Sequence, residues 1–302
     1  MKKTFEVNKI LIPVDFSETA LLALEHAASF CGKFSSKLHL LHVYKGRDID
    51  VLPDVGLGNT DHEAIKKKIV EELQKLAAGF ESDYGIEVDI EIREGGIAKG
   101  ISMAASDCDA DMIVMGTHGS SGFEEFFIGS NAYKVVTASP LPVLTVQSHA
   151  KSKAYDTIFV GIDSSTHTRD KVSHAAALAK TFGSKIHLCA LITEDHEEEK
   201  NIFNLKIKQV KEYLDGQGVQ YESSEMHGEN IAKMVFQKAE EVNADMITIM
   251  TEQEAATGLF MGSYAQQIVN HSSIPVLSIT PFSVVESFSQ SDLEANFRPF
   301  NF

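Results

Sequence analysis

The sequence predicts an α/β protein of two tandem doubly wound domains, each a five-stranded parallel sheet flanked by helices. Three observations predict it. Short apolar runs alternate with helix-period segments, the pattern of strands covered on both faces. That alternation occurs twice, in two diverged copies. In the first copy a glycine-rich stretch joins a strand to a helix, where open sheets of this kind hold ligands.

Within the first copy, Ile10 to Val14 is a continuous apolar run ending at Asp15 and reads as the first strand. Ser17 is placed to cap the next helix. Ala20, Leu24, Ala27, Ala28 and Cys31 then share one helical face, and Gly32 is the expected stop. Leu38 to Val43 is the second strand. Thr60-Asp-His-Glu63 has the capping-box pattern and opens a helix with an apolar stripe from Ile65 through Leu73 to Phe80. Gly85 ends that helix, and Ile86 to Ile92 alternates as the third strand. A short helix from Ile97 to Ser106, a strand from Met112 to Met115, a helix from Asn131 to Thr137 and a strand from Pro142 to Val146 complete the copy. Right-handed crossovers then give a Rossmann-like sheet.

The second copy repeats these landmarks. Lys9-Ile-Leu-Ile-Pro-Val-Asp15 matches Thr157-Ile-Phe-Val-Gly-Ile-Asp163, and Ser36-Lys-Leu-His matches Ser184-Lys-Ile-His. Asp109-Ala-Asp-Met-Ile matches Asn243-Ala-Asp-Met-Ile, and Leu141-Pro-Val-Leu matches Ile274-Pro-Val-Leu. The expected division is a domain over 1–150, a second over 151–281 and a phenylalanine-rich tail over 282–302.

Composition narrows the function. The formal net charge of −16 argues against the basic face that a nucleic-acid backbone or an anionic membrane asks for. A nucleotide stays open, because a local nest of N–H groups outweighs a distant field. Cys31, Cys108 and Cys189 are scattered and read as packed thiols of a reducing compartment. The histidines are dispersed without ligand spacing, so no metal site is expected. No long apolar run follows Met-Lys-Lys-Thr-Phe-Glu, so the expectation is a cytoplasmic chain without a signal peptide or membrane span.

The stretch Gly116-Thr-His-Gly119-Ser-Ser-Gly-Phe-Glu-Glu-Phe-Phe-Ile-Gly129-Ser130 sits between a strand and a helix start. Glycines let backbone N–H groups approach an anion, and a helix start adds unpaired donors and partial positive charge. Its spacing of Gly, two residues, Gly, nine residues and Gly-Ser resembles the nucleotide-binding signature of the universal stress protein family, in its ATP-binding branch. The resemblance implies that Asp15 lies against an adenine and accepts from its amino group; capping the following turn is the alternative. By the same match Pro13, Val43 and Met115 wall the base and ribose, with core filling as the alternative. Gly116, Gly119, Gly129, Ser130 and Asn131 would hold phosphates, Gly129, Ser130 and Asn131 through backbone N–H groups; a tight turn capped by Ser130 is the alternative. Thr117 and His118 lie where they reach ribose or phosphate, and nothing in sequence orients His118 as a general base.

The nine-residue stretch departs from the family habit: Ser120 to Ile128 has no basic residue and carries Glu124 and Glu125. Either Mg²⁺ compensates, these carboxylates face solvent, or the better ligand has fewer phosphates. The second copy keeps Asp163, Gly262 and Ser263 but has Met250, Glu252, Gln253 and Glu254 where the cradle was, so it is not expected to bind ATP in the same way. The resemblance implies pairing of units through their fifth strands, as a homodimer or inside one chain between Val143–Val146 and Val276–Ile279.

Three functions follow from this reading. The first is an ATP- or AMP-responsive stress regulator with slow hydrolysis at most and no assigned catalytic residue, acting on a protein partner that the sequence does not name. The second is a nucleotide-free scaffold. The third is an adenylating enzyme of related fold, whose glycine-serine loop would follow the first strand, where Pro13-Val-Asp-Phe-Ser17 is not one.

Overall fold

The computed structural model describes residues 5–45, 62–117, 129–148, 150, 154–193, 197–251 and 262–281. In the first half the elements are β1 (Lys9–Pro13), α1 (Glu18–Phe34), β2 (Lys37–Tyr44), α2 (His62–Tyr84), β3 (Val88–Glu94), α3 (Ile97–Asp107), β4 (Met112–Gly116), α4 (Ser130–Ala138) and β5 (Val143–Val146). The second half runs β6 (Thr157–Ile162), α5 (Asp170–Phe182), β7 (Lys185–Ile192), α6 (Glu197–Gln217), β8 (Tyr221–His227), α7 (Ile231–Glu241), β9 (Met246–Met250), α8 (Ser263–His271) and β10 (Val276–Ile279).

Local chemistry sets the ends of these elements. Ser17 caps α1, its hydroxyl accepting the Ala20 N–H at 3.2 Å. Gly32 does not stop that helix. The chain stays helical through Phe34, and Ser35 takes the left-handed conformation instead, at φ 58°. Gly85, at φ 66°, does follow the end of α2. Thr60 and Asp61 of the expected capping box lie outside the described residues.

Each half is a five-stranded parallel sheet, ordered β3-β2-β1-β4-β5 and β8-β7-β6-β9-β10. The halves join edge to edge: β5 and β10 pair antiparallel, Leu144 opposite Leu277, to give one ten-stranded sheet. That join covers two apolar edges that would otherwise invite association. Alternating side chains feed two cores. Ile10, Ile12, Val114 and Leu144 face the layer of α1, α2, α5 and α6; Leu11, Ile113, Met115 and Val143 face α3, α4, α7 and α8.

Reciprocal contacts lock the join. Gln147 Nε2 donates to the carbonyls of Val269 and Asn270 at the end of α8, at 2.9 and 2.8 Å. Thr280 Oγ1 donates to the carbonyl of Ser139, just past α4, at 2.7 Å. Beneath α1 and α5 an aromatic cluster spans both halves. The ring of Tyr155 lies 5.2 Å from those of Phe30 and Phe182, and its hydroxyl is 2.6 Å from His26 Nδ1.

Candidate functional site

Strand order reverses between β1 and β4, and their carboxyl ends frame a crevice. Asp15 follows β1. Its Oδ1 accepts from the Ser17 N–H at 3.1 Å and the Ser17 hydroxyl at 2.6 Å, so one carboxylate oxygen holds the turn into α1. Phe16 between them is left-handed, at φ 61°. Its ring leans on that of His42 at 5.2 Å, and His42 Nδ1 meets the carbonyl of Val14 at 2.7 Å. A buried histidine therefore props the turn from below, which strand patterning alone did not reveal.

Opposite Asp15, Gly116 ends β4. A Cβ there would come within 2.9 Å of Thr19 Cγ2 and 3.0 Å of the Thr19 backbone, so this glycine lets the strand end approach α1. Thr117 is buried; its N–H donates to Val146 at 3.0 Å, and its carbonyl accepts the Gly129 N–H at 2.7 Å. That last bond already engages the Gly129 N–H, one of the three donors expected to face a phosphate. Gly129 is the N-cap of α4, and no side chain caps the helix. The first-turn donors expected to meet an anion thus reduce to those of Ser130 and Asn131.

Pro13 and Val43 are half-buried, and Met115 is packed in the core layer below α3 and α4. Val43 lies tight on α3: a Cβ on Gly100 would come 2.8 Å from its Cγ1. Pro13, Asp15, Val43, Met115, Gly116, Thr117, Gly129, Ser130 and Asn131 are all placed on or next to the three strand ends and the start of α4. His118, Gly119, Glu124 and Glu125 lie outside the described residues.

The family model described as the universal stress protein family matches residues 6–147 and again residues 154–279. The chain belongs to the universal stress protein family. Two members from Methanocaldococcus jannaschii, universal stress proteins MJ0531 and MJ0577, are each 34% identical to it, over 149 and 153 residues. The matches span 84% and 94% of those proteins but 48% and 46% of this chain. A solved universal stress protein from Archaeoglobus fulgidus is similar over 91% of this chain and 99% of its own, with a TM-score of 0.75 at 22% identity. The fold is therefore shared across both halves.

In this family member the second crevice is built differently. Asp163 occupies the place of Asp15 but is only 3% exposed. Its Oδ1 accepts from the Ser165 N–H at 3.0 Å and the Ser165 hydroxyl at 2.6 Å. Burial opposes its ionisation, but the charge of buried Lys171 and hydrogen bonds from Ser165 and Thr168 outweigh that and hold its carboxyl below the ordinary value. Lys171 Nζ donates to Thr168 Oγ1 at 3.2 Å, and Lys206 Nζ reaches over to the carbonyls of Ser164 and Ser165 at 2.6 and 3.0 Å. The carboxylate is answered by the protein's own cations. Glu252, Gln253 and Glu254 lie outside the described residues.

Burial raises the pKa of all three thiols, which disfavours the reactive thiolate. Cys31 is buried, and burial pushes its thiol up to about 12. Among the described residues no helix is long and apolar enough to cross a membrane.

The buried histidines predict a pH dependence. Burial holds His42, His174 and His187 below the ordinary value of 6.5; for His42 the Val14 carbonyl and Asp15 oppose this without reversing it. The unfolded chain then takes up protons before the folded one, so this stability is full above about pH 6.5 and drains as pH falls below it. The melting temperature is expected to drop between pH 7.5 and 5.5, and less steeply in His42→Gln. A flat profile in calorimetry across that range would refute the assignment.

Proposed function

We propose that the first half binds an adenine nucleotide, ATP or AMP, and that the protein acts as a nucleotide-responsive regulator rather than as an enzyme. One observation carries this reading. A glycine-capped helix start without a side-chain cap, at α4, stands beside a turn-held carboxylate, Asp15, at the switch point of the sheet. The carboxylate accepts from the exocyclic amino group of the base, with Pro13, Val43 and Met115 as apolar wall. Ser130 and Asn131 supply backbone donors to the phosphates, and the Ser130 hydroxyl a further one. Gly116, Thr117 and Gly129 shape the crevice, and His118 and Gly119 belong to the same loop.

Hydrolysis is slow in this reading, because the stretch from Gly116 to Ser130 carries no lysine to clamp a γ-phosphate. Mg²⁺ accompanies a triphosphate if Glu124 and Glu125 face it. The unit over 1–150 carries the site. The unit over 151–281 does not bind nucleotide in the same way, since Asp163 is buried against the charge of Lys171, for which the sequence match gives Asp15 no counterpart, and the glycines of the cradle are replaced by Met250 and Gln253.

The test is mass spectrometry of small molecules released from the purified protein, followed by titration with ATP, ADP and AMP. One adenine nucleotide per chain is expected. No binding at millimolar nucleotide with Mg²⁺ present would overturn the reading and leave the scaffold.

A further inference from the structure

Among the core positions at which the two halves differ, one lies far from the crevice. Ile97-Ala-Lys-Gly-Ile-Ser102 of α3 repeats as Ile231-Ala-Lys-Met-Val-Phe236 of α7. In the second half the Phe236 ring packs, half-buried, against the apolar layer of α7 and α8. In the first half Ser102 stands in its place, and a cavity of about 220 Å³ opens between α3 and the turn leading into β5. Ser102, Ser106, Asp109, Ile113, Ser139 and Leu141 line it. Ser102 is 8% exposed, and its Oγ is buried with no hydrogen-bond partner. An unmet buried hydroxyl costs about 1–3 kcal/mol, so Ser102 is a poor substitute for the aromatic ring that the second half has at this position. An apolar cavity of roughly 150 Å³ is enough to take up benzene, so this one is the size of an aromatic ring.

The geometry also brings an occupant to its door. Because β10 runs antiparallel to β5, the chain leaves β10 beside the residues that enter β5. Thr280 Oγ1 donates to the carbonyl of Ser139, and Ser139 lines the cavity. Beyond Pro281 the sequence continues over residues 282–302, with Phe282, Phe288, Phe297, Phe300 and Phe302. At about 3.3–3.6 Å per extended residue, these rings have ample reach to a cavity whose wall holds the root of the segment.

We propose that the segment 282–302 docks a phenylalanine ring into the cavity beneath α3, within the same chain. The tail then completes the first half as Phe236 completes the second. The role is independent of nucleotide, since the cavity lies at the amino end of β4 and the crevice at its carboxyl end.

The test uses the full-length chain without nucleotide and two independent readouts. Endoproteinase Glu-C reports tail docking through cleavage at Glu286 and Glu294. Ser102→Phe fills the cavity from inside and is expected to raise cleavage about tenfold, the change expected when a docked segment is released into local opening. Separately, replacing the five tail phenylalanines by serine is expected to speed amide exchange in residues 97–107, with exchange in α7 unchanged. The proposal stands only if both readouts move; either one remaining at its wild-type value overturns it. Tail protection that disappears on dilution would put the ring of a second copy in the cavity and overturn the assignment within one chain.

Discussion

Gly129→Glu is expected to abolish adenine-nucleotide binding in the first half while leaving the fold in place. Gly129 sits at φ −57° and ψ 143°, a conformation open to any residue, so the entry into α4 survives the change. The added Cβ meets the Thr117 carbonyl oxygen at 3.0 Å, so that carbonyl must give by a few tenths of an ångström. The new carboxylate is itself an anion at a helix start. It is attracted to the same first-turn N–H groups and takes the place of the phosphates. Losing charge-assisted bonds from Ser130 and Asn131, at about 1.5–3 kcal/mol each, weakens binding by at least about 100-fold. Calorimetric titration measures the loss, and far-UV dichroism confirms the fold. Affinity within threefold of wild type would remove α4 from the site.

Tyr155→Ala is expected to destabilise the whole chain by about 3–5 kcal/mol, the range for removing a large aromatic from a core. Tyr155 is fully buried where the halves meet, edge-on to Phe30 and Phe182. Its hydroxyl also reaches His26 from the other half, at 2.6 Å. Tyr155→Phe keeps the ring and loses that bond, so its expected cost is smaller, about 1–3 kcal/mol. Urea unfolding measures both. A Tyr155→Ala loss under about 1 kcal/mol would show that the strand pairing of β5 with β10, not the aromatic cluster, holds the halves together.

The sheet was legible because each strand is a short apolar run with a turn signal at its end, and because every landmark appears twice. The β5–β10 join was implied by the family resemblance, which left pairing within one chain and pairing between two chains both open; the structure has it within the chain. What the sequence hid were contacts between distant residues. Gly116 looked like a phosphate glycine, yet its immediate need is space for Thr19. The Gly129 N–H looked available, yet Thr117 takes it. Nothing in the sequence marks Lys171, which only folding brings into the field of Asp163. His39 looked isolated until the β2–β3 pairing brought Glu91 to 2.8 Å. Gly32 misled because a helix tolerates a glycine, at about 1 kcal/mol relative to alanine, when a later residue makes the stop.

The antiparallel join of the two half-sheets fixes which way each crevice looks. All strands from β3 to β5 run one way and all from β10 to β8 the other. The rim that carries Asp15 and the start of α4 is therefore opposite the rim that carries Asp163 and the start of α8. Unlike a clamshell, whose jaws share one guest, this molecule presents one crevice upward and its altered twin downward. The contacts that bury Asp163 at one edge of the sheet therefore leave the geometry around Asp15 at the other edge untouched.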